Sequence, residues 1–135
     1  MMVWRFSSPS KNFMPGLEHD TPIPTELTLD RKRHVLALAY GEKAHELSFE
    51  FLRVHSPSAE VRGHGPGQEV LQVGKISVDI TELEPVGMYA VRPTFSDGHS
   101  TGIFSWDYLN KLCLEKDQLW QEYLARMDKA GASRG

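Results

Sequence analysis

The sequence predicts an α+β domain: a small antiparallel β-sheet, short helices in one connection and a C-terminal helical segment. Three observations carry that prediction. HVLALAY (residues 34–40) and KISVDITEL (75–83) have the two-residue period or the apolar run of strands. Ser96-Asp97-Gly98-His99 contains Asp-Gly, a strong short-range hairpin signal. Trp106, Leu109, Cys113, Trp120, Leu124 and Met127 recur at three- and four-residue steps, the stripe of a helix packed on one side.

Taken in order, residues 1–20 have no periodicity and read as a flexible tail, although Trp4, Phe6 and Phe13 are suited to docking. TELTL (25–29) alternates as a strand. The basic triplet Arg31-Lys32-Arg33 reads as a solvated turn, because no second basic patch supports a nucleic-acid role. In residues 34–40 both faces are apolar, which predicts a central strand covered on both sides. AHEL (44–47) follows Gly41 as a further short strand. Ser48 then caps a helix carrying Phe49, Phe51, Leu52 and Val54, which must stop before Ser56-Pro57. Glycines 63, 65 and 67 make a loop.

Residues 75–83 predict a strand with Ile76, Val78 and Ile80 inward, and residues 84–87 a turn. The strand at 88–95 contains Pro93, which has no amide hydrogen and so marks an edge or a bulge. After the Asp-Gly turn, STGIF (100–104) returns as a strand. Ser105 caps the C-terminal helix, with Asp107 well placed in its first turn. A skipped step near Asp117 makes the stripe one helix or two meeting near residue 115. Residues 129–135 are small and polar and read as a fraying tail, which leaves 21–128 as the domain.

At 135 residues the chain has room for one core. Apolar residues at 40% and charged residues at 24% are ordinary for a globular protein. A net charge of -3 argues against a nucleic-acid binder. The single cysteine, Cys113, excludes a disulfide framework and a Cys-only metal site. Neither a signal-peptide segment nor a membrane span is legible, so a cytoplasmic location is expected.

The chemistry-bearing stretch is RVHSPSAEVRGHGPG (53–67). It lacks the spacing of a dinucleotide or P-loop phosphate cradle. His99, fixed by the hairpin beside Asp97, is a candidate metal ligand or acid/base, to be joined by His55, His64 or Glu60 if folding assembles them. No His-Glu-x-x-His, no His-x-Asp and no Gly-x-Ser-x-Gly occurs. Cys113 lies on the apolar stripe, where an inert thiol is expected.

Phe51-Leu52-Arg53-Val54, Ser56-Pro57-Ser58-Ala59-Glu60-Val61 and Gly63-His64-Gly65 form a distinctive set. They are joined by Glu84-Pro85-Val86-Gly87, Tyr89-Ala90, Asp97-Gly98-His99, Gly102-Ile103 and Trp106-Asp107-Tyr108-Leu109. Over residues 21–112 this set resembles the gamma-butyrobetaine hydroxylase-like N-terminal domain family, found in bacteria as stand-alone domains of unknown function. The resemblance implies that hydroxylase catalysis belongs to a separate domain, so oxygenase activity is not expected. It also implies a zinc site in the hydroxylases, made of a cysteine-rich run and a histidine. His99 matches that histidine, but the run matches residues 54–61, where Ser56, Ser58 and Val61 stand. Fusion of relatives to Mrp-like iron–sulfur carrier ATPases implies a partner of that kind.

The expected function is therefore a non-catalytic adaptor, accessory to iron–sulfur or metal-cofactor maturation. Its partner surface is expected at Arg53, Ser56, Ser58, Glu60, Arg62, His64 and Asp97. The alternatives are a zinc or iron protein using His99, His55 and His64, and a small enzyme. A homodimer through the C-terminal stripe is a further expectation.

Overall fold

Two antiparallel sheets share one apolar core. The computed structural model describes residues 2–6, 22–63 and 69–135. The first sheet runs in chain order through β1 (Met2–Arg5), β2 (Glu26–Asp30), β3 (Val35–Tyr40) and β4 (Lys43–Ser48). Its inward positions are leucines facing one another across strands: Leu27 opposite Leu38, Leu29 opposite Leu36, and Leu36 opposite Leu47. None of these five is more than 1% exposed, and each buried leucine contributes roughly 2 kcal/mol.

β3 is central, with partners on both sides, but only one of its faces is fully buried. Val35, Ala37 and Ala39 on the other face are half-buried. His34 belongs to the preceding turn rather than the strand, since its φ of 55° is left-handed. Part of the expected N-terminal tail is also ordered: Met2–Arg5 form β1 and pair with β2. Phe13 lies outside the described residues.

Ser48 caps α1 (Phe49–Val54), its hydroxyl accepting from the Phe51 amide at 3.0 Å. All six residues of α1 are buried, including Glu50 and Arg53, so both charges require partners. After the His55 cap and Ser56-Pro57, the chain makes α2 (Ala59–Arg62), which stops at Gly63 with φ 72°.

The second sheet has the order β5 (Ile80–Val86), β6 (Ala90–Phe95), β7 (Phe104–Ser105). Three expectations are corrected here. Residues 75–79 are not strand: Ile76 is 47% exposed, and its amide donates to the Arg134 carbonyl at 2.9 Å. The strand instead runs through the expected turn at 84–87, because β5 is an edge that tolerates Pro85, and the turn falls at Gly87. The returning strand is only two residues long, so β6 is unpaired on that side at Pro93, as a proline requires.

α3 (Trp106–Leu114) is capped by the Ser105 hydroxyl, and α4 (Lys116–Ala130) follows after a break at Glu115. Tyr123 and Met127 of α4 pack with Val54 in a smaller cluster. Cys113 is buried, and burial pushes its thiol up to about 11. Beyond α4 the expected fraying tail is held in place. The Ser133 carbonyl accepts from the Gly74 amide, and the Arg134 guanidinium grips buried Glu50 through two bonds of 2.7 and 2.9 Å. Among the described residues no helix is long and apolar enough to cross a membrane.

Candidate functional site

The end of α1, the 55–58 connection, α2 and the β6–β7 hairpin bring six polar side chains together. His99 is at the centre, with its side chain 3% exposed. Its Nε2 lies 2.9 Å from Ser56 Oγ and 3.2 Å from Ser58 Oγ, and its Nδ1 lies 2.9 Å from Glu60 Oε2. A neutral ring that donates from Nδ1 to Glu60 leaves Nε2 to accept from the serine hydroxyls. Burial, reinforced by the positive charge of Arg53, lowers the His99 pKa and favours that neutral form.

The same hairpin fixes Asp97. One carboxylate oxygen accepts from the His99 amide at 3.1 Å; the other takes Arg53 Nε at 2.8 Å and Lys75 Nζ at 2.6 Å. Burial pushes the Asp97 pKa up, but Lys75, the His99 amide and Arg53 outweigh it and hold it at about 2. The two salt bridges thus tie α1 and the 75–79 segment to the hairpin. Arg53 Nη1 is buried with no hydrogen-bond partner among the described residues.

Serine, imidazole and carboxylate stand here in the order of a nucleophile, a base and its orienting group. Access is what the arrangement lacks. Ser56 is 1% exposed, and Gly102 lies so close that a Cβ there would fall 2.2 Å from Ser56 Oγ. Ser56 borders the neighbouring cleft but presents almost none of its surface there. Zinc is a poor fit too. The donors at the expected positions are two neutral hydroxyls and one imidazole, and Val61 offers none. Among the described residues, no three His, Cys, Asp or Glu side chains are placed to hold a metal. His55 does not join His99: its Nδ1 meets the Phe51 carbonyl at 2.9 Å and its ring packs on Phe51. His64 lies outside the described residues.

The other side of the same connection is open. A cleft of about 720 Å³ lies between α2 and the two C-terminal helices, with Val54, Val61, Val70 and Leu119 in its apolar lining. Among the described residues, His55, Ser56, Arg62, Lys111 and Arg126 supply its polar groups, with one carboxylate, Glu69. Tyr108 braces the floor: its hydroxyl donates to the His55 carbonyl at 2.6 Å, and the Arg62 guanidinium lies 4.9 Å over its ring.

Residues 27–110 match the model of the family described as gamma-butyrobetaine hydroxylase-like, N-terminal. The chain belongs to that family. Two proteins known from NMR solution structures are similar to it. One has 51% identity and a TM-score of 0.75, covering 84% of this chain and 90% of its own. The other has 45% identity and a TM-score of 0.73, covering 91% of each chain. A crystal structure from Acidithiobacillus ferrooxidans, a protein of unknown function in the DUF971 family, is 38% identical with a TM-score of 0.55; the match covers 66% of this chain and 90% of that one. No match exists among curated proteins.

Within this family fold, Arg53, Ser56, Ser58, Glu60, Asp97 and His99 form one connected group, while Arg62 turns to the cleft. Sequence reasoning missed Lys75, Lys111 and Arg126, and held Gly102 only as a motif residue without its packing on Ser56. Lys75 sits in a segment that reads as a strand. Lys111 and Arg126 are ordinary exposed positions of an amphipathic pattern until the helices pack.

Proposed function

We propose that this chain is a non-catalytic binding module, an adaptor, whose recognition face is the open side of the 53–63 connection with α3 and α4. The observation that supports this reading is the contrast between two neighbouring groups of polar residues. Those with reactive chemistry, Ser56 and His99, are closed off by their own hydrogen bonds and by Gly102. Arg62, Glu69, Lys111 and Arg126, which line the cleft, are exposed, as a docking surface requires. The family resemblance points to a Mrp-like iron–sulfur carrier ATPase as the first partner to try, with a role in iron–sulfur or metal-cofactor maturation.

The test is calorimetric titration of the full chain into such an ATPase from the same source, in its cluster-loaded and empty forms. Saturable binding by the wild type, weakened at least about tenfold by Arg62→Ala with an unchanged melting temperature, is the expected result. Equal binding by Arg62→Ala would move the recognition face elsewhere. No binding in either form would remove this partner class.

A further inference from the structure

We infer that the cleft between α2, α3 and α4 recognises an acidic segment of a partner protein, in which aspartate or glutamate side chains flank an aliphatic residue. The inference rests on the adaptor reading and names the chemistry of its partner. It starts from how the chain uses its arginines. Of the eight arginines, six form ion pairs with carboxylates of the same chain: Arg5, Arg31, Arg33, Arg53, Arg92 and Arg134. Among the described residues, Arg62 and Arg126 form no ion pair, and both line this cleft.

Lys111 stands with them, so the described lining of the cleft carries three cations against one carboxylate, Glu69, with Glu122 near His55 outside the lining, on a chain whose net charge is -3. The local sign is opposite to that of the whole. A guanidinium offers paired donors that match a carboxylate, and two of them on separate elements can engage two acidic side chains at once. Arg62 comes from α2 and Arg126 from α4, with Val61, Val70 and Leu119 in the apolar lining. Val70 is 52% exposed, leaving apolar surface for an aliphatic side chain between the acids.

A nucleic-acid strand fits less well. Its affinity needs a longer basic track and aromatic faces for stacking, whereas the Tyr108 ring already carries the Arg62 guanidinium. The occupant is a protein segment.

The experiment pans phage-displayed random peptides on the immobilised full chain, then measures synthesised consensus peptides by fluorescence anisotropy. A chain carrying Arg62→Gln, Lys111→Gln and Arg126→Gln, first shown to melt as the wild type does, is the counter-target. Expected are sequences rich in Asp or Glu around an aliphatic residue. Their affinity should fall about tenfold or more on the triple variant, and several-fold as salt rises from low to physiological strength. Any of three results would overturn the inference: consensus sequences with no acidic excess, equal binding to the triple variant, or tighter binding of a single-stranded oligonucleotide. Failure to enrich any sequence counts against it as well. Neutral peptides that bind the cleft would defeat the acidic assignment and leave the adaptor reading intact, while the ATPase titration tests that reading whatever the peptides show.

Discussion

Residues 53–63 present two regions of opposite character. Facing inward, buried Arg53, Ser56, Ser58 and His99 join the more exposed Asp97 in a group tied together by hydrogen bonds within the chain. Facing outward, Arg62 borders an open cleft with Lys111 and Arg126, cations that find no carboxylate partner among the described residues. The difference shows that residue type alone does not assign a role. A histidine with two serines and a glutamate looks like chemistry, yet a network whose members satisfy one another also helps to specify one packing. An arginine on a short helix looks like solvated surface, yet Arg62, with no ion pair among the described residues, is the side chain on which the proposed docking depends.

The strongest way to break the inner region is Gly102→Ala. The added methyl would meet Ser56 Oγ at 2.2 Å, so the hairpin must move or the serine must leave His99. A loss of about 3 kcal/mol in urea unfolding is expected. Ser56→Ala in the same chain removes the clashing atom and should restore part of that loss, the signature of direct coupling. Next is Asp97→Asn, which leaves Arg53 and Lys75 without their shared carboxylate and should cost about 2 kcal/mol.

A smaller effect separates the regions by pH. His99 and His55 both have folded pKa values lowered below the ordinary 6.5, chiefly by burial. For a depressed histidine the unfolded state takes up the proton first, so stability is complete above pH 6.5 and declines as pH falls below it. Asp97, held at about 2 against an ordinary 3.8, contributes its own loss only below about pH 4. Chemical unfolding of the wild type between pH 7 and 5 should therefore show a falling stability, with a shallower slope in His99→Gln. An unchanged slope would mean that His55 alone carries the dependence. The smallest expected effect is that of Arg126→Ala, within about 0.5 kcal/mol of wild type, because the side chain is exposed and makes no ion pair among the described residues. A larger loss would mean that the outer region too is part of the scaffold.

What was legible in the sequence was local. The Ser48 and Ser105 caps, the break near residue 115 and the pairing of β3 depend on neighbours a few residues apart. The 75–79 segment misled because its alternation resembles a strand, whereas the Ile76 amide bonds to the far C-terminus, the Val78 amide bonds back to Lys75 and the Asp79 carbonyl accepts from the Ser96 amide. His99 was singled out from its hairpin, but its two serine partners are 43 and 41 residues away, and spacing alone could not join them. Arg126 carried no signal, since its role depends on which helix faces meet.

The buried thiol on α3 has a practical consequence. Cys113 is the only cysteine of the chain, and its raised pKa and enclosure keep it unreactive while the core is shut. Its alkylation rate is then a clock for opening of the core, read by mass without any added label. Ligands that only cover the outer cleft and those that tighten the whole fold would slow that clock to different degrees, so the molecule carries its own gauge of how far an event at its surface reaches inside.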